Sequence, residues 1–267
     1  MKLAFSTLGC PSWAWQDVLS TAADLGYQGI EVRGLLHEMY APRMAGFSPA
    51  QWEKTQADLR RAGMEVPCFS SSAMLHNAQL IDAAHKEAED YILLAERTGT
   101  PFVRVLGDTA AVPDGQVDDA LVVSALSKLG AMAASRNVTL LVETNGCFAN
   151  TARLKKVLDA VGLASVQALW DIQHPYRFFG ESPEQTVDTL GSAIRFVHVK
   201  DSAMVDGVLM YRMLGAGDLP IEECLRALNA IGYEGYLSLE WVKRWQTDIE
   251  EPGIAFAHAV KKLKGMI

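Results

Sequence analysis

Short apolar runs alternate with longer segments of helical period along the whole chain, and that alternation constrains the fold more than any other feature. The predicted strands are 3–6 (LAFS), 29–32 (GIEV), 65–69 (EVPCF), 102–106 (FVRVL), 139–143 (TLLVE), 167–171 (QALWD), 195–199 (RFVHV) and 236–240 (YLSLE). Helical patterns lie near 14–25, 48–62, 79–98, 116–135, 150–160, 183–191, 220–231 and 253–265. Ser48-Pro49 and Ser182-Pro183 each place a capping residue before a proline at the first helical position, and Asp218 precedes Pro220 similarly. Gly26, Gly63, Gly99, Gly162 and Gly232 follow apolar helical stretches and read as stops. Eight βα units in strict alternation predict an α/β protein with a parallel sheet, and that number closes into a single (β/α)8 TIM barrel. A doubly wound sheet would carry a glycine-rich turn after its first strand, and Thr7-Leu8-Gly9-Cys10-Pro11 is no phosphate fingerprint. No linker divides the 267 residues, so 1–267 are expected to form one domain.

A hydrophobic fraction of 49% supplies a sizeable core. The net charge of −8 repels a phosphate backbone, and the one dense basic run, Lys261-Lys262-Leu263-Lys264, reads as the exposed face of a last helix. No nucleic-acid partner is expected. Cys10, Cys68, Cys147 and Cys224 are scattered without a Cys-x-x-Cys pair, which suits free thiols in a reducing compartment. Lys2-Leu3-Ala4-Phe5-Ser6 enters a strand pattern at once, and no apolar run approaches the ~20 residues of a membrane span. A soluble, cytoplasmic protein without a membrane partner is expected.

Alternation along a barrel strand decides which side chains face the axis. In 139–143, Leu140 and Val142 pack on helices, leaving Leu141 and Glu143 inward. By the same parity Asp171, His198 and Glu240 turn inward, with Trp170, Val197 and Leu239 facing out. Four strands thus deliver one candidate ligand each at the C-terminal rim, where barrel active sites sit. A lone acid ending a strand is often a helix cap, and a lone His beside valines is often a hydrogen-bonded core residue. Four inward parities together point elsewhere. Three carboxylates and an imidazole in one pocket repel unless a cation neutralises them, so one divalent metal is expected on Glu143, Asp171, His198 and Glu240. Oxygen-rich ligation favours Mn²⁺, with Mg²⁺, Co²⁺ or Zn²⁺ as alternatives.

The chain resembles the xylose isomerase-like barrel superfamily of sugar isomerases and epimerases, which holds tagatose 3-epimerase-like enzymes, inosose dehydratases and hydroxypyruvate isomerases. The resemblance covers the whole chain. It is carried by Val142-Glu143-Thr144, Trp170-Asp171-Ile172-Gln173-His174-Pro175, Val197-His198-Val199-Lys200-Asp201, Leu214-Gly215-Ala216-Gly217-Asp218 and the run from Gly232 to Glu240. It implies the same four metal ligands and a His174 that reaches substrate oxygens. It also implies acid–base roles for Glu143 and Glu240, one on each face of the reacting carbon. The expected activity is isomerisation or epimerisation of a ketose, keto-polyol or related sugar, phosphorylated or not, through an enediolate. Dehydration is the alternative, if the enediolate expels a β-hydroxyl with His174, His198 or Lys200 as acid.

Further inward charges are Glu31, Arg33 and Arg104. Glu31 with Arg104 could form an ion-pair layer beneath the pocket, while Arg33, Arg104, Lys200 and Arg212 are candidate substrate contacts, Arg212 as a clamp in the loop after strand seven. Gly215-Ala216-Gly217-Asp218 occupies a loop where barrels bind phosphate, or is a turn before a capped helix. Trp13, Trp15, Trp241 and Trp245 follow strands one and eight and pack or roof the pocket. His76 lines the mouth, and His85 and His258 lie in helices as structural or solvated residues. Three rivals remain: an abasic-site endonuclease, which six histidines and an acidic chain disfavour; a sugar-binding barrel without turnover; and a two-metal isomerase using His174 and Asp201 for a second ion. A homodimer is expected, since such barrels commonly pair. Loops 34–47, 70–78, 107–115 and 172–182 should shape the pocket.

Overall fold

The computed structural model describes residues 1–108 and 116–267. In chain order the strands are β1 (Lys2–Ser6), β2 (Gly29–Glu31), β3 (Cys68–Met74), β4 (Phe102–Leu106), β5 (Thr139–Glu143), β6 (Val166–Asp171), β7 (Ile194–Val199), β8 (Asp201–Val205), β9 (Val208–Arg212) and β10 (Tyr236–Leu239). The α-helices are α1 (Trp15–Leu25), α2 (Trp52–Ala62), α3 (Ile81–Thr98), α4 (Asp119–Ala134), α5 (Thr151–Val161), α6 (Gln173–Phe179), α7 (Pro183–Leu190), α8 (Ile221–Ala230) and α9 (Pro252–Lys264). Strands β1 to β7 and β10 make the eight parallel strands of a (β/α)8 barrel, and β8 with β9 forms a separate antiparallel hairpin.

The chain makes two compact units: Met1–Pro67 with Val197–Ile267, and Cys68–Phe196. In the first, β1 is the centre, pairing Lys2 with Tyr236 and Leu3 with Leu237 on one side, and Ala4 with Gly29 on the other. The odd residues of β1 face the helices. Phe5 stacks on Phe256 of α9 at 4.2 Å and meets Tyr27 edge-on at 5.0 Å. In the second, β3 to β6 run in sequence order, with Cys68 opposite Phe102, Phe102 opposite Thr139 and Leu140 opposite Val166.

Most helix ends follow local chemistry. Ser182 makes a capping box with Gln185: the Gln185 amide donates to Ser182 Oγ (3.2 Å) and the Ser182 amide to Gln185 Oε1 (2.8 Å). Gly26, Gly63, Gly99 and Gly162 close their helices in the left-handed region. Two starts differ from the sequence reading. Ser48 opens a turn whose carbonyl takes the Gln51 and Trp52 amides, and α2 begins only at Trp52. Likewise α8 begins after Pro220, and Asp218 does not cap it.

The third strand also moves. It runs Cys68–Met74 rather than 65–69, because Pro67 has no N–H for the ladder and Glu65 makes only an isolated bridge to Gly29. Two elements were not predicted: α6, within the expected loop 172–182, and the hairpin after β7. Most of the expected loop 107–115 lies outside the described residues. All four cysteines are buried free thiols. Among the described residues, no helix is long and apolar enough to cross a membrane.

Candidate active site

In the unit formed by Cys68–Phe196, β5 ends at Glu143 and β6 at Asp171, both buried. Arg104 on β4 sets its Nε 3.1 Å from Glu143 Oε2 and donates through Nη1 to the Ser71 carbonyl at 2.9 Å. Asn145 Nδ2 donates to Glu143 Oε1 at 3.2 Å. Two strand ends are tied by one hydroxyl: Thr144 Oγ1 accepts from the Asp171 amide (2.9 Å) and donates to the Asp171 carbonyl (3.2 Å). Asp171 Oδ1 accepts from the amide of Gln173, the first residue of α6, at 2.9 Å. His174, in the first turn of α6, points Nδ1 at the Thr144 carbonyl at 2.9 Å. A carbonyl only accepts, so Nδ1 carries the proton and Nε2 is the acceptor nitrogen.

In the other unit, His198 is wholly buried on β7. Its Nε2 lies 3.0 and 3.1 Å from the two oxygens of Glu31, and Glu31 Oε2 also accepts from Ser238 Oγ at 2.6 Å. With Nε2 as donor, Nδ1 becomes the lone-pair nitrogen, 3.5 Å from Glu240 Oε1. Burial alone would raise the Glu31 carboxyl; the adjoining imidazole, with help from the Ser238 hydroxyl, outweighs it and holds the group below the usual carboxylate range. Glu240 follows β10, its amide donating to the Val199 carbonyl at 2.9 Å, and its Oε2 is paired with Lys200 Nζ. Arg33 is largely buried beyond β2; its amide donates to Thr7 Oγ1 (2.8 Å), which in turn donates to the Gly34 carbonyl (2.6 Å).

The glycine turn after the hairpin serves the fold. Asp201 Oδ2 accepts from the Gly215 and Gly217 amides (2.8 and 2.9 Å), and Oδ1 from the Ser202 amide at 2.8 Å. A Cβ on Gly217 would fall 2.1 Å from Asp201 Oδ1, so the turn closes around that carboxylate. This bears on two of the alternatives left open above, the phosphate loop and the second metal. The amides that might have cradled a phosphate already hold an internal anion, and Asp201 is engaged with backbone rather than available to a second metal. Arg212 lies not in a flexible loop but on β9, in register with Asp201.

Glu31 and Arg104, read as a pair from sequence, belong to different units; within its own unit each has another partner, His198 and Glu143 respectively. Sequence reasoning missed the roles of Thr144, Asn145, Ser238 and Asp201. Ser238 alone carried a signal, since it shares the parity of Glu240. Trp241 is buried with its Nε1 on the Glu250 carbonyl, Trp245 is exposed, and Trp13 and Trp15 pack against Phe256 and Phe47. His76 follows β3 half-buried, His85 lies within α3, and His258 Nε2 meets the Leu214 carbonyl at 2.8 Å as a structural contact.

A family model described as xylose isomerase-like TIM barrel matches residues 19–264. The chain is 24% identical to fructoselysine 3-epimerase of Escherichia coli O157:H7, over 100% of this chain and 98% of that protein. Among solved structures, the probable 3-DHS dehydratase AsbF of Bacillus anthracis superposes with a TM-score of 0.81 at 16% identity, covering 99% of both chains. The IOLI protein, solved with a bound zinc atom, gives 0.79 at 18% identity, covering 100% of this chain and 98% of that one.

Proposed function

The chain belongs to the xylose isomerase-like TIM barrel family, and from that premise we propose that it is a divalent-metal-dependent isomerase or epimerase of a ketose, keto-polyol or related sugar, working as one domain over 1–267. The observation that carries the reading is the carboxylate behind His198. A metal-ligating histidine characteristically gives its other ring N–H to a carboxylate, which fixes the tautomer and raises the basicity of the ligating nitrogen. Glu31 and Ser238 supply that support. The buried trio Glu143, Asp171 and His198 suits a metal ion, and Glu240 is proposed as the fourth ligand. An oxygen-rich set with one nitrogen favours Mn²⁺, and the zinc bound by the IOLI protein is compatible with the same donors. Bound there, the ion would acidify the proton on the carbon between adjacent hydroxyl and carbonyl oxygens and stabilise the resulting enediolate.

The remaining chemistry belongs to the chain. Glu143 and Glu240 take and return the carbon-bound proton from opposite faces. Arg104 and Lys200, each paired with one of them, hold both carboxylates in orientation. His174 Nε2 accepts from a substrate hydroxyl, its ring fixed by the Thr144 carbonyl. Arg33 is proposed to contact substrate oxygens from the end of β2, and Arg212 from the hairpin.

Dehydration is the second reading, favoured by one feature: the Lys200 ammonium sits against Glu240, so a proton donor for a departing hydroxyl adjoins a carbanion-forming base. The likeness to a probable dehydratase is consistent with it. Proton exchange in deuterated water tests both, across a panel of ketoses and keto-polyols with Mn²⁺. Deuterium gain without loss of water is the expected outcome. Unsaturated product would favour dehydration, and binding without exchange would leave only a sugar-binding barrel.

A further inference from the structure

A cleft of about 390 Å³ opens beside β2, lined by Trp15, Leu35, Met44 and Phe47, with His37 and Arg43 at its exposed edge. That volume lies within the range of small-molecule sites. Its walls are fixed: Phe47 is buried and meets Trp15 edge-on at 5.3 Å and Trp52 at 6.1 Å. It also adjoins the candidate site along the chain. Glu31, which holds His198, is four residues from Leu35, so even an extended backbone separates them by at most about 14 Å.

The backbone at the cleft mouth is strained in a way that serves the cleft. Leu36 sits at φ 51°, which a side chain with a Cβ rarely adopts, and it leaves an apolar side chain 44% exposed. Three contacts hold it there. Leu35 and Glu38 exchange backbone hydrogen bonds of 2.8 and 3.0 Å, and Arg244 Nη1 donates to the Leu36 carbonyl at 3.0 Å. Gly34 (φ 83°) permits the turn, since a Cβ there would fall 2.4 Å from Met39 Sδ. Few polar groups line the cleft, and one of them, the buried Trp15 Nε1, has no hydrogen-bond partner among the described residues. Glu38 Oε1 accepts from the Tyr40 amide at 2.8 Å, and the Arg43 guanidinium lies over the Tyr40 ring at 5.1 Å. Hydrocarbon would find rigid apolar walls here.

We propose that this cleft is a substrate subsite for an apolar substituent, alkyl or aryl, carried by the keto-sugar; the inference rests on the sugar chemistry proposed above for the other end of the substrate. Two probes test it by calorimetry with Mn²⁺ present: 1-deoxy-1-(hexylamino)-D-fructose and its methylamino counterpart. A fully buried methylene is worth about fourfold in affinity, so the hexyl compound should bind at least about tenfold more tightly even when only part of its tail is covered. Ala45→Trp, which fills the cleft from its exposed side, should erase that difference. Leu36→Asn, which tolerates the left-handed backbone but removes the apolar mouth, should reduce it by about fourfold and covers the case in which the tryptophan variant fails to fold. Equal affinity of the two probes, no binding of the hexyl compound, or a difference that survives both variants would overturn the proposal. The readout is binding, so the two readings fail separately. Tail-dependent binding without C–H exchange keeps the subsite and sinks the isomerase, while exchange on the methyl compound with no tail preference does the reverse.

Discussion

The two units of this protein bury acids at the ends of their strands and neutralise them differently. In Cys68–Phe196, Glu143 faces Arg104, a cation that never loses its proton, and Asp171 is held by the backbone and hydroxyl of Thr144 and the amide of Gln173. In Met1–Pro67 with Val197–Ile267, Glu31 and Glu240 face His198 and Lys200, groups whose charge depends on surroundings. One unit offers a fixed electrostatic frame, the other an adjustable one. The difference teaches where to look for sensitivity: apart from the proposed ligands themselves, variants of the supporting residues in Met1–Pro67 with Val197–Ile267 should change how a metal is held and protons move, whereas those in Cys68–Phe196 should change whether the unit folds.

Four measurements sharpen or break that contrast. Glu240→Gln should have the largest effect, lowering deuterium exchange by about 10²–10⁴-fold as a proton-transfer group is lost; full activity would remove Glu240 from the chemistry. Arg104→Met leaves Glu143 buried without its cation and should cost ~3–5 kcal/mol in urea unfolding of the metal-free protein, with Mn²⁺ restoring part of it. A change well under 1 kcal/mol would show that the frame is not electrostatic. Glu31→Gln should weaken Mn²⁺ binding by about 10–100-fold by calorimetry, through His198 rather than by contact. Unchanged affinity would mean that Glu31 serves only the core.

The smallest effect is a control at the opposite strand ends. Glu65 is held below the usual carboxylate range, first by the Tyr236 hydroxyl at 2.5 Å and then by Lys2, against partial burial that raises it. Its stabilisation is therefore complete above the unfolded carboxyl value and lost as pH falls through the lowered folded one. Tyr236→Phe should cost ~1 kcal/mol at neutral pH, a gap that narrows in acid and ignores Mn²⁺ in thermal melts. A gap that grows in acid would reverse the assignment.

Much of this was legible in the sequence. Alternation placed β4 and β5 at their observed limits and β6 and β7 within one residue, and the parity of 139–143 and 167–171 put Glu143 and Asp171 at strand ends. What escaped has identifiable causes. The apolar run 65–69 contains Pro67, which breaks the ladder that its hydrophobicity suggests. Asp206-Gly207, flanked by Val205 and Val208, is a strong hairpin signal, and both residues do take positive φ (51° and 78°). Strict βα alternation leaves no room for such an extra pair. The closing of the Gly215–Gly217 turn on Asp201, and the support of His198 by Glu31, join residues remote in sequence, and no local pattern announces them.

The pairing of β1 with β10 has a consequence for how the protein is made. Lys2 and Leu3 leave the ribosome well before their register partners Tyr236 and Leu237. Cys68–Phe196 is an unbroken stretch, whereas the unit bearing Glu31, His198 and Glu240 is assembled from two segments, one before that stretch and one after it. The strands of the earlier segment therefore wait, with Phe5 lacking its stacking partner Phe256, until the later segment has been made. Pauses or truncations between the two segments should thus expose the earlier one to chaperones or to aggregation.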